Sequence, residues 1–278
     1  MVIWIGEGSL GGLVPPDEAL VSVLDHGFTV GDGVFETMKI VDGRVFALTR
    51  HLRRLDRSAA VLGLAAPDHG VLRDAVAEVV FANPGINRGP ARLRITVTGG
   101  IAPLGSDRGD ALPTVAVAVM SSTAWAPSTE IATVPWVRNE RSAIAGAKTT
   151  SYAENVVALD FAHARGASEA IFANSVGRLC EGTGSNVFVV VDGVTLTPAL
   201  SSGCLAGITR ELVLEWSDAQ EAELDLGILS TADEIFLTSS TRDVHPVTRV
   251  NERHLEVGPV TARIREEFRL KSSVDLDP

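Results

Sequence analysis

Val34-Phe-Glu-Thr-Met-Lys-Ile40-Val-Asp-Gly-Arg-Val45-Phe-Ala-Leu48-Thr49-Arg-His-Leu-Arg-Arg-Leu-Asp-Arg-Ser-Ala-Ala-Val-Leu-Gly63 changes its hydrophobic period in the middle. Residues 34–40 and 45–48 are apolar runs joined by Val41-Asp42-Gly43-Arg44, and an Asp-Gly pair between apolar runs signals a hairpin. Thr49 stands where a helix N-cap belongs. Leu52, Leu55, Ala59 and Leu62 follow at helical spacing to a stop at Gly63. Strands running straight into a helix predict an α+β start to the chain.

Outward from this stretch, residues 71–81 read as a second helix, and 92–98 and 114–120 as strands. Ser121-Ser-Thr-Ala-Trp-Ala-Pro127 is the best linker. The expected organisation is a small α+β domain over 1–120, a linker over 121–127 and a larger domain over 128–278. The second part opens with a strand at 131–137. A helix over 151–164 follows, with Tyr152, Val156 and Leu159 on one face. Strands are predicted at 170–173 and at 234–237, with a hairpin of 186–191 and 194–197 around Asp192-Gly193. Helices are predicted over 208–216 and over 259–268, the latter with proline at its first position.

The chain has 278 residues, 45% hydrophobic and 21% charged, which excludes general disorder. Its net charge of −11 argues against a nucleic-acid partner, which asks for a basic patch. No apolar run approaches a membrane span, and Met1–Glu7 lacks the marks of a signal peptide. Cys180 and Cys204 make neither a disulfide framework nor a zinc site, and the six histidines lack metal-ligand spacing, so no metal is expected. A cytoplasmic protein fits these features. Of 24 basic residues only Lys39, Lys148 and Lys271 are lysines. Lys148 stands out in the small-residue setting Ala143-Ile-Ala-Gly-Ala-Lys148-Thr-Thr150, and lysine can form a Schiff base where arginine cannot.

No Walker loop, dinucleotide fingerprint, zinc-protease motif or nucleophile elbow is present. Several elements suit an anion. Gly207-Ile208-Thr209 leads a loop into a helix, where free amides favour phosphate. Thr238-Ser239-Ser240-Thr241 gathers hydroxyls at a strand end. Arg54 lies on the first helix beside Arg53 and Arg57. Glu181-Gly-Thr-Gly-Ser-Asn186 is a bend carrying one carboxylate. Singly, each is most often a cap, a solvated turn or a surface charge. Together with Lys148 they are the parts that pyridoxal phosphate needs: an amine for the aldehyde, a phosphate cup and a carboxylate for the pyridine nitrogen.

The chain resembles the class IV (fold type IV) pyridoxal-phosphate enzymes: branched-chain and D-amino-acid aminotransferases, (R)-amine transaminases and 4-amino-4-deoxychorismate lyases. The similarity rests on Asp25-His-Gly-Phe-Thr-Val-Gly-Asp-Gly-Val-Phe-Glu-Thr37, His51-Leu-Arg-Arg-Leu55, Lys148-Thr-Thr-Ser-Tyr152, Glu181-Gly-Thr-Gly-Ser-Asn-Val-Phe188, Leu205-Ala-Gly-Ile-Thr-Arg210 and Thr238-Ser-Ser-Thr241, in family order. It implies a small α+β domain and a larger domain with a barrel-like sheet, and a homodimer. It also implies pyridoxal 5'-phosphate on Lys148, Glu181 at the pyridine nitrogen, Leu205 on the ring and Tyr152 by the phenolic oxygen. Arg54, Gly207, Ile208, Thr209, Ser240 and Thr241 would hold the phosphate.

The resemblance covers two chemistries. The preferred reading is an aminotransferase that moves an amino group between a small amino acid or amine and a keto acid through a Lys148 Schiff base. The alternative is the lyase, releasing pyruvate and 4-aminobenzoate; a third is a homologue that binds the cofactor without catalysis. The Arg-x-His carboxylate trap of D-amino-acid aminotransferases is missing from the loop Thr98-Gly-Gly-Ile-Ala-Pro-Leu-Gly-Ser-Asp-Arg108. His26, Phe35, Arg108 and Arg138 are the candidate substrate residues.

Overall fold

The computed structural model describes residues 1–65 and 67–278. The chain divides into two compact units. The first comprises 1–124 with two later segments, 147–152 and 276–278; the second comprises 125–146 and 153–275. Lys148 thus belongs to the first unit, although it lies beyond the boundary near residue 124.

The first unit contains β1 (Ile3–Glu7), β2 (Leu10–Val14), α1 (His26–Thr29), β3 (Gly33–Val41), β4 (Arg44–Val45), α2 (Leu48–Leu62), α3 (His69–Ala82), β5 (Ala91–Thr98) and β6 (Thr114–Ser121). Its six strands form one antiparallel sheet in the order β2-β1-β6-β5-β3-β4. Alternation along the strands sends Val34, Met38, Leu93, Ile95, Val97, Val115 and Val117 to one face. There they pack with Leu52, Leu55 and Ala59 of α2 and Leu72 and Val76 of α3. The predicted second hairpin strand is short, because the chain enters α2 at Leu48.

The N-cap of α2 differs from the sequence expectation. Ala47, in the left-handed region at φ 54°, occupies the cap position and offers no side-chain bond. The cap is supplied from the C-terminal segment. Asp277 accepts from the Thr49 N–H (2.8 Å) and hydroxyl (2.5 Å), and the Ala47 N–H donates to the Leu276 carbonyl at 2.7 Å. These bonds satisfy amides that have no partner within the helix.

The second unit contains β7 (Thr129–Arg138), α4 (Ala153–His163), β8 (Glu169–Asn174), β9 (Leu179–Gly182), β10 (Asn186–Val191), β11 (Val194–Pro198), α5 (Ile208–Trp216), β12 (Gln220–Ala222), β13 (Glu234–Ser239), β14 (Asp243–Val250), β15 (Arg253–His254) and α6 (Pro259–Val274). Its sheet runs β12-β11-β10-β13-β14-β7-β8-β9, with β15 beside β14. The β11–β12, β14–β7 and β7–β8 pairs are parallel and the others antiparallel. Ile131, Ile171, Leu179, Val187, Val189, Ile235 and Leu237 form its main core.

α4 does not bury the expected face. Asn155, Ala158 and Ala162 point inward, and Val156 is exposed. Small alanines let the helix approach Ala132, Ala170 and Phe172 closely, and Asn155 Nδ2 donates to the Thr183 carbonyl at 2.8 Å. Packing and this one hydrogen bond outweigh the larger apolar stripe.

Candidate active site

In the first unit Lys148 is pinned by its backbone. Its carbonyl accepts the Phe35 N–H (3.0 Å), its own N–H donates to Ser58 Oγ on α2 (3.0 Å), and Thr150 N–H donates to the Gly33 carbonyl (2.8 Å). A Cβ at Gly33 would stand 2.9 Å from both Thr150 Oγ1 and the Val97 carbonyl oxygen, so only glycine permits this approach. The Gly31 carbonyl, in a turn at φ 68°, accepts both the Thr150 and Ser151 hydroxyls. The Gly31-Asp32-Gly33 turn therefore anchors the lysine segment. Lys148 Nζ lies 4.5 Å from the Phe35 ring centroid and 5.9 Å from that of Tyr152. The two rings meet edge to face at 5.2 Å.

Of the three clustered arginines, Arg54 is buried while Arg53 and Arg57 are exposed. Arg54 grips Glu36 through two bonds, Nε to Oε1 at 2.8 Å and Nη2 to Oε2 at 2.6 Å. His51 Nδ1 sits 2.6 Å from Glu36 Oε2. Burial pushes the Glu36 carboxyl up, but the charge and bonds of Arg54, joined by His51, hold it at about 2. Burial lowers His51, and the Arg54 and Lys148 charges add to that against the pull of Glu36. His51 is therefore neutral and donates from Nδ1 to an ionised Glu36. Glu36 and His51 are absent from the sequence candidates, yet the signal was there. Glu36 alternates with Val34 and Met38 on the core face of β3, and a charge placed there must find a partner.

In the second unit Glu181 sits on β9, and its Oε2 accepts the Leu205 N–H at 2.9 Å. Arg138 Nε lies 3.5 Å from Glu181 Oε1. The same guanidinium lies over Phe172 and donates from Nη1 to Glu154 at 2.7 Å. Arg138 thus attends the carboxylate rather than open space. The bend after Glu181 wraps around buried Glu169, which accepts from the Thr183 N–H and hydroxyl and from Ser185 Oγ.

Asn186 Nδ2 donates to the Leu205 carbonyl at 2.8 Å. A Cβ on Gly207 would come within 1.9 Å of Asn186 Oδ1. Gly207 is thus demanded by the close approach of loop and strand. It is also the N-cap of α5, and as a glycine it has no side chain with which to cap the helix. Ile208 and Thr209, both buried, open that helix with backbone amides that have no intrahelical partner. Thr238 stands opposite Asn186 across β10 and β13, and its buried hydroxyl has no hydrogen-bond partner among the described residues. Ser240 and Thr241 follow at the end of β13. A helix start with open amides beside an orphan hydroxyl is chemically suited to phosphate oxygens.

The loop candidates have other partners. Arg108 grips Asp32 at 2.7 and 2.8 Å and donates to the Leu62 and Gly63 carbonyls. His26 is buried against the Pro103 carbonyl. Phe35 is buried beneath Arg94, whose Cζ lies 3.6 Å from the ring centroid.

Residues 33–250 match the family described as amino-transferase class IV. A Methanocaldococcus jannaschii protein provisionally named branched-chain-amino-acid aminotransferase is 34% identical over 272 residues, which is 93% of each chain. A Listeria innocua D-alanine aminotransferase is 29% identical, covering 92% of both. The branched-chain aminotransferase of Thermoproteus uzoniensis, solved with norvaline, superposes with a TM-score of 0.88 at 33% identity, covering 97% of this chain and 93% of that one. These similarities support the expected fold and the aminotransferase reading, and they do not favour the lyase. The chain belongs to the class IV aminotransferases, enzymes that use pyridoxal phosphate.

Proposed function

We propose that this enzyme moves an amino group between a small amino acid or amine and a keto acid, with Lys148 as the exchanging amine. The observation that carries this is the placement of Lys148 Nζ over Phe35 and Tyr152, on a backbone fixed to β3 and α2. The donor set fits the cofactor. In the first unit Arg54 has the chemistry for its phosphate; in the second the Ile208 and Thr209 amides and the Thr209, Thr238, Ser240 and Thr241 hydroxyls have it too. Glu181, steadied by the Leu205 amide and Arg138, suits a protonated pyridine nitrogen, with Leu205 on the ring and Tyr152 at the phenolic oxygen. When bound, the cofactor supplies an electron sink beside the reacting carbon. Lys148 Nζ would be the group that takes and returns the proton at that carbon.

Two further points belong to this reading. Leu20, Val23 and Phe28 are largely exposed, which suits a homodimer contact. Cys180 and Cys204 are buried free thiols, in keeping with a reducing cytoplasm. Among the described residues no helix is long and apolar enough to cross a membrane.

The test is spectroscopic. The purified enzyme is mixed with single amino acids or amines, and the cofactor absorbance is followed. Bleaching of the yellow form with keto acid release is expected, and Lys148→Ala should lack the yellow form. Pyruvate release from aminodeoxychorismate without a keto acceptor, or a yellow Lys148→Ala protein, would overturn the reading.

A further inference from the structure

Glu169 opens β8 and is only 2% exposed. A carboxylate sealed from water must be met by donors, or its burial is costly. This one is met by the bend between β9 and β10. Its Oε1 accepts the Thr183 N–H at 2.9 Å and also the Thr183 hydroxyl, and its Oε2 accepts the Ser185 hydroxyl at 3.0 Å. Buried Arg242 lies on the same side, with Nη2 3.8 Å from Oε2. The Thr183 carbonyl accepts from Asn155 Nδ2 at 2.8 Å. Every polar group of Thr183 is therefore committed.

The bend is joined at both ends to residues of the candidate site. Glu181 precedes Gly182-Thr-Gly-Ser185, and Asn186 follows it. No large apolar side chain lies within residues 181–186, so hydrogen bonds rather than packing must set the course of this backbone. The Gly182 N–H donates to the Ser185 carbonyl at 2.7 Å, which closes the bend. A Cβ on Gly182 would stand 2.5 Å from Ser185 Oγ and 3.1 Å from Glu169 Cδ. The residue next to Glu181 thus lies directly on the Glu169 carboxyl group. From the two ends of the bend, Glu181 Oε2 accepts the Leu205 N–H and Asn186 Nδ2 donates to the Leu205 carbonyl.

We propose that Glu169 is a positioning residue for aminotransfer, acting through the 182–185 bend to hold the Glu181 carboxylate in place for the pyridine nitrogen. This rests on the reading of Glu181 as the partner of that nitrogen. The Glu169 oxygens are spent on Thr183, Ser185 and the Ala170 N–H, so Glu169 serves the site through the bend and not by touching a ligand. Leucine at 169 removes every acceptor and leaves the Thr183 N–H without one. Glutamine keeps one oxygen for the bend and puts a donor in place of the other.

The test titrates the full-length enzyme, freed of cofactor, with two probes: pyridoxal phosphate, and its deaza analogue in which a C–H replaces the ring nitrogen. Binding is read from the absorbance of the Lys148 Schiff base. Glu169→Leu should bind pyridoxal phosphate about 10-fold more weakly, the size usual when a residue that orients a ligating group is lost. It should bind the deaza analogue as wild type does. Glu169→Gln should fall between Glu169→Leu and wild type. The double variant Thr183→Val/Ser185→Ala keeps Glu169 and Arg242 but cuts the hydroxyl bonds of the bend; it should show the same selective loss, and it decides the matter if Glu169→Leu does not fold. In a Glu181→Gln background the Glu169→Leu loss should vanish, because the carboxylate it serves is gone. Equal losses with both probes, or an undiminished loss on top of Glu181→Gln, would overturn the proposal and leave Glu169 a support of the fold alone. Glu181→Gln by itself separates the two ideas. If it weakens both probes alike, the pyridine reading fails and takes the proposal with it; if it weakens only pyridoxal phosphate while Glu169→Leu weakens neither, the proposal fails alone.

Discussion

A charge pair sealed from water is costly to break from one side, and Arg54 is half of one. Its guanidinium is almost fully buried and holds a Glu36 with no exposed surface. Arg54→Ala should destabilise the fold by about 3–5 kcal/mol, because a buried carboxylate is left without its partner. Adding Glu36→Gln should recover part of that loss. Urea unfolding of the three proteins checks this, and a double variant no more stable than Arg54→Ala would show that Glu36 finds another partner. Glu181 behaves differently, because it works on the ligand side. In Glu181→Gln the amide oxygen can still accept the Leu205 N–H, so the loop should hold. The lost charge should lower turnover by about 10²–10³-fold at saturating cofactor. Turnover near wild type would reduce Glu181 to a loop anchor. The legibility of these residues in the sequence was uneven. Arg54 is distinguishable from Arg53 and Arg57 because the Leu52, Leu55 and Ala59 stripe fixes which way the helix faces.

At the scale of elements, local chemistry was readable and remote chemistry was not. The bounds of α5 follow directly from Gly207 and its apolar periodicity. The cap of α2 does not, since Asp277 reaches Thr49 from 228 positions away. β14 was obscured by Pro246, which argues against a central strand, yet the strand pairs with β13 on one side and β7 on the other. The α5 entrance is the element most open to test. Gly207 has φ −69°, so its backbone would accept any residue. The obstacle to a side chain is Asn186 Oδ1, 1.9 Å from where a Cβ would stand. Gly207→Ala should push Asn186 off the Leu205 carbonyl and displace the first turn. A stability loss of about 1–3 kcal/mol is expected, as for overpacking at a tight contact. Cofactor should also dissociate faster during dialysis. A variant with normal cofactor retention would mean that the loop yields without moving the helix start.

Across the whole molecule, each unit stores acid sensitivity in a buried histidine. Burial lowers His51 in the first unit, and the Arg54 and Lys148 charges reinforce it against Glu36. Burial also lowers His245 in the second unit, where Ala126 and Arg242 contact its ring nitrogens. The unfolded chain takes up a proton on each near pH 6.5, whereas the folded chain does so only at lower pH. Between those points the unfolded state binds more protons, so stability must fall as pH falls, by up to about 1.4 kcal/mol per pH unit for each histidine. Glu36 acts in a different window. Its pKa of about 2 lies below the ordinary 4.5, so its contribution is complete above pH 4.5 and is lost between there and pH 2. Net charge works the other way: a chain at −11 loses self-repulsion as it approaches its pI near 5.0. Comparing His51→Gln with wild type at each pH removes that shared term. The melting temperature of wild type should drop as pH falls from 7.5 to 5.5, and His51→Gln should drop by less. Glutamine offers a neutral donor toward Glu36 but no site for the proton. Equal drops in the two proteins would mean that His51 is protonated in the folded state, and that the Glu36–Arg54 pair is held with an extra positive charge beside it.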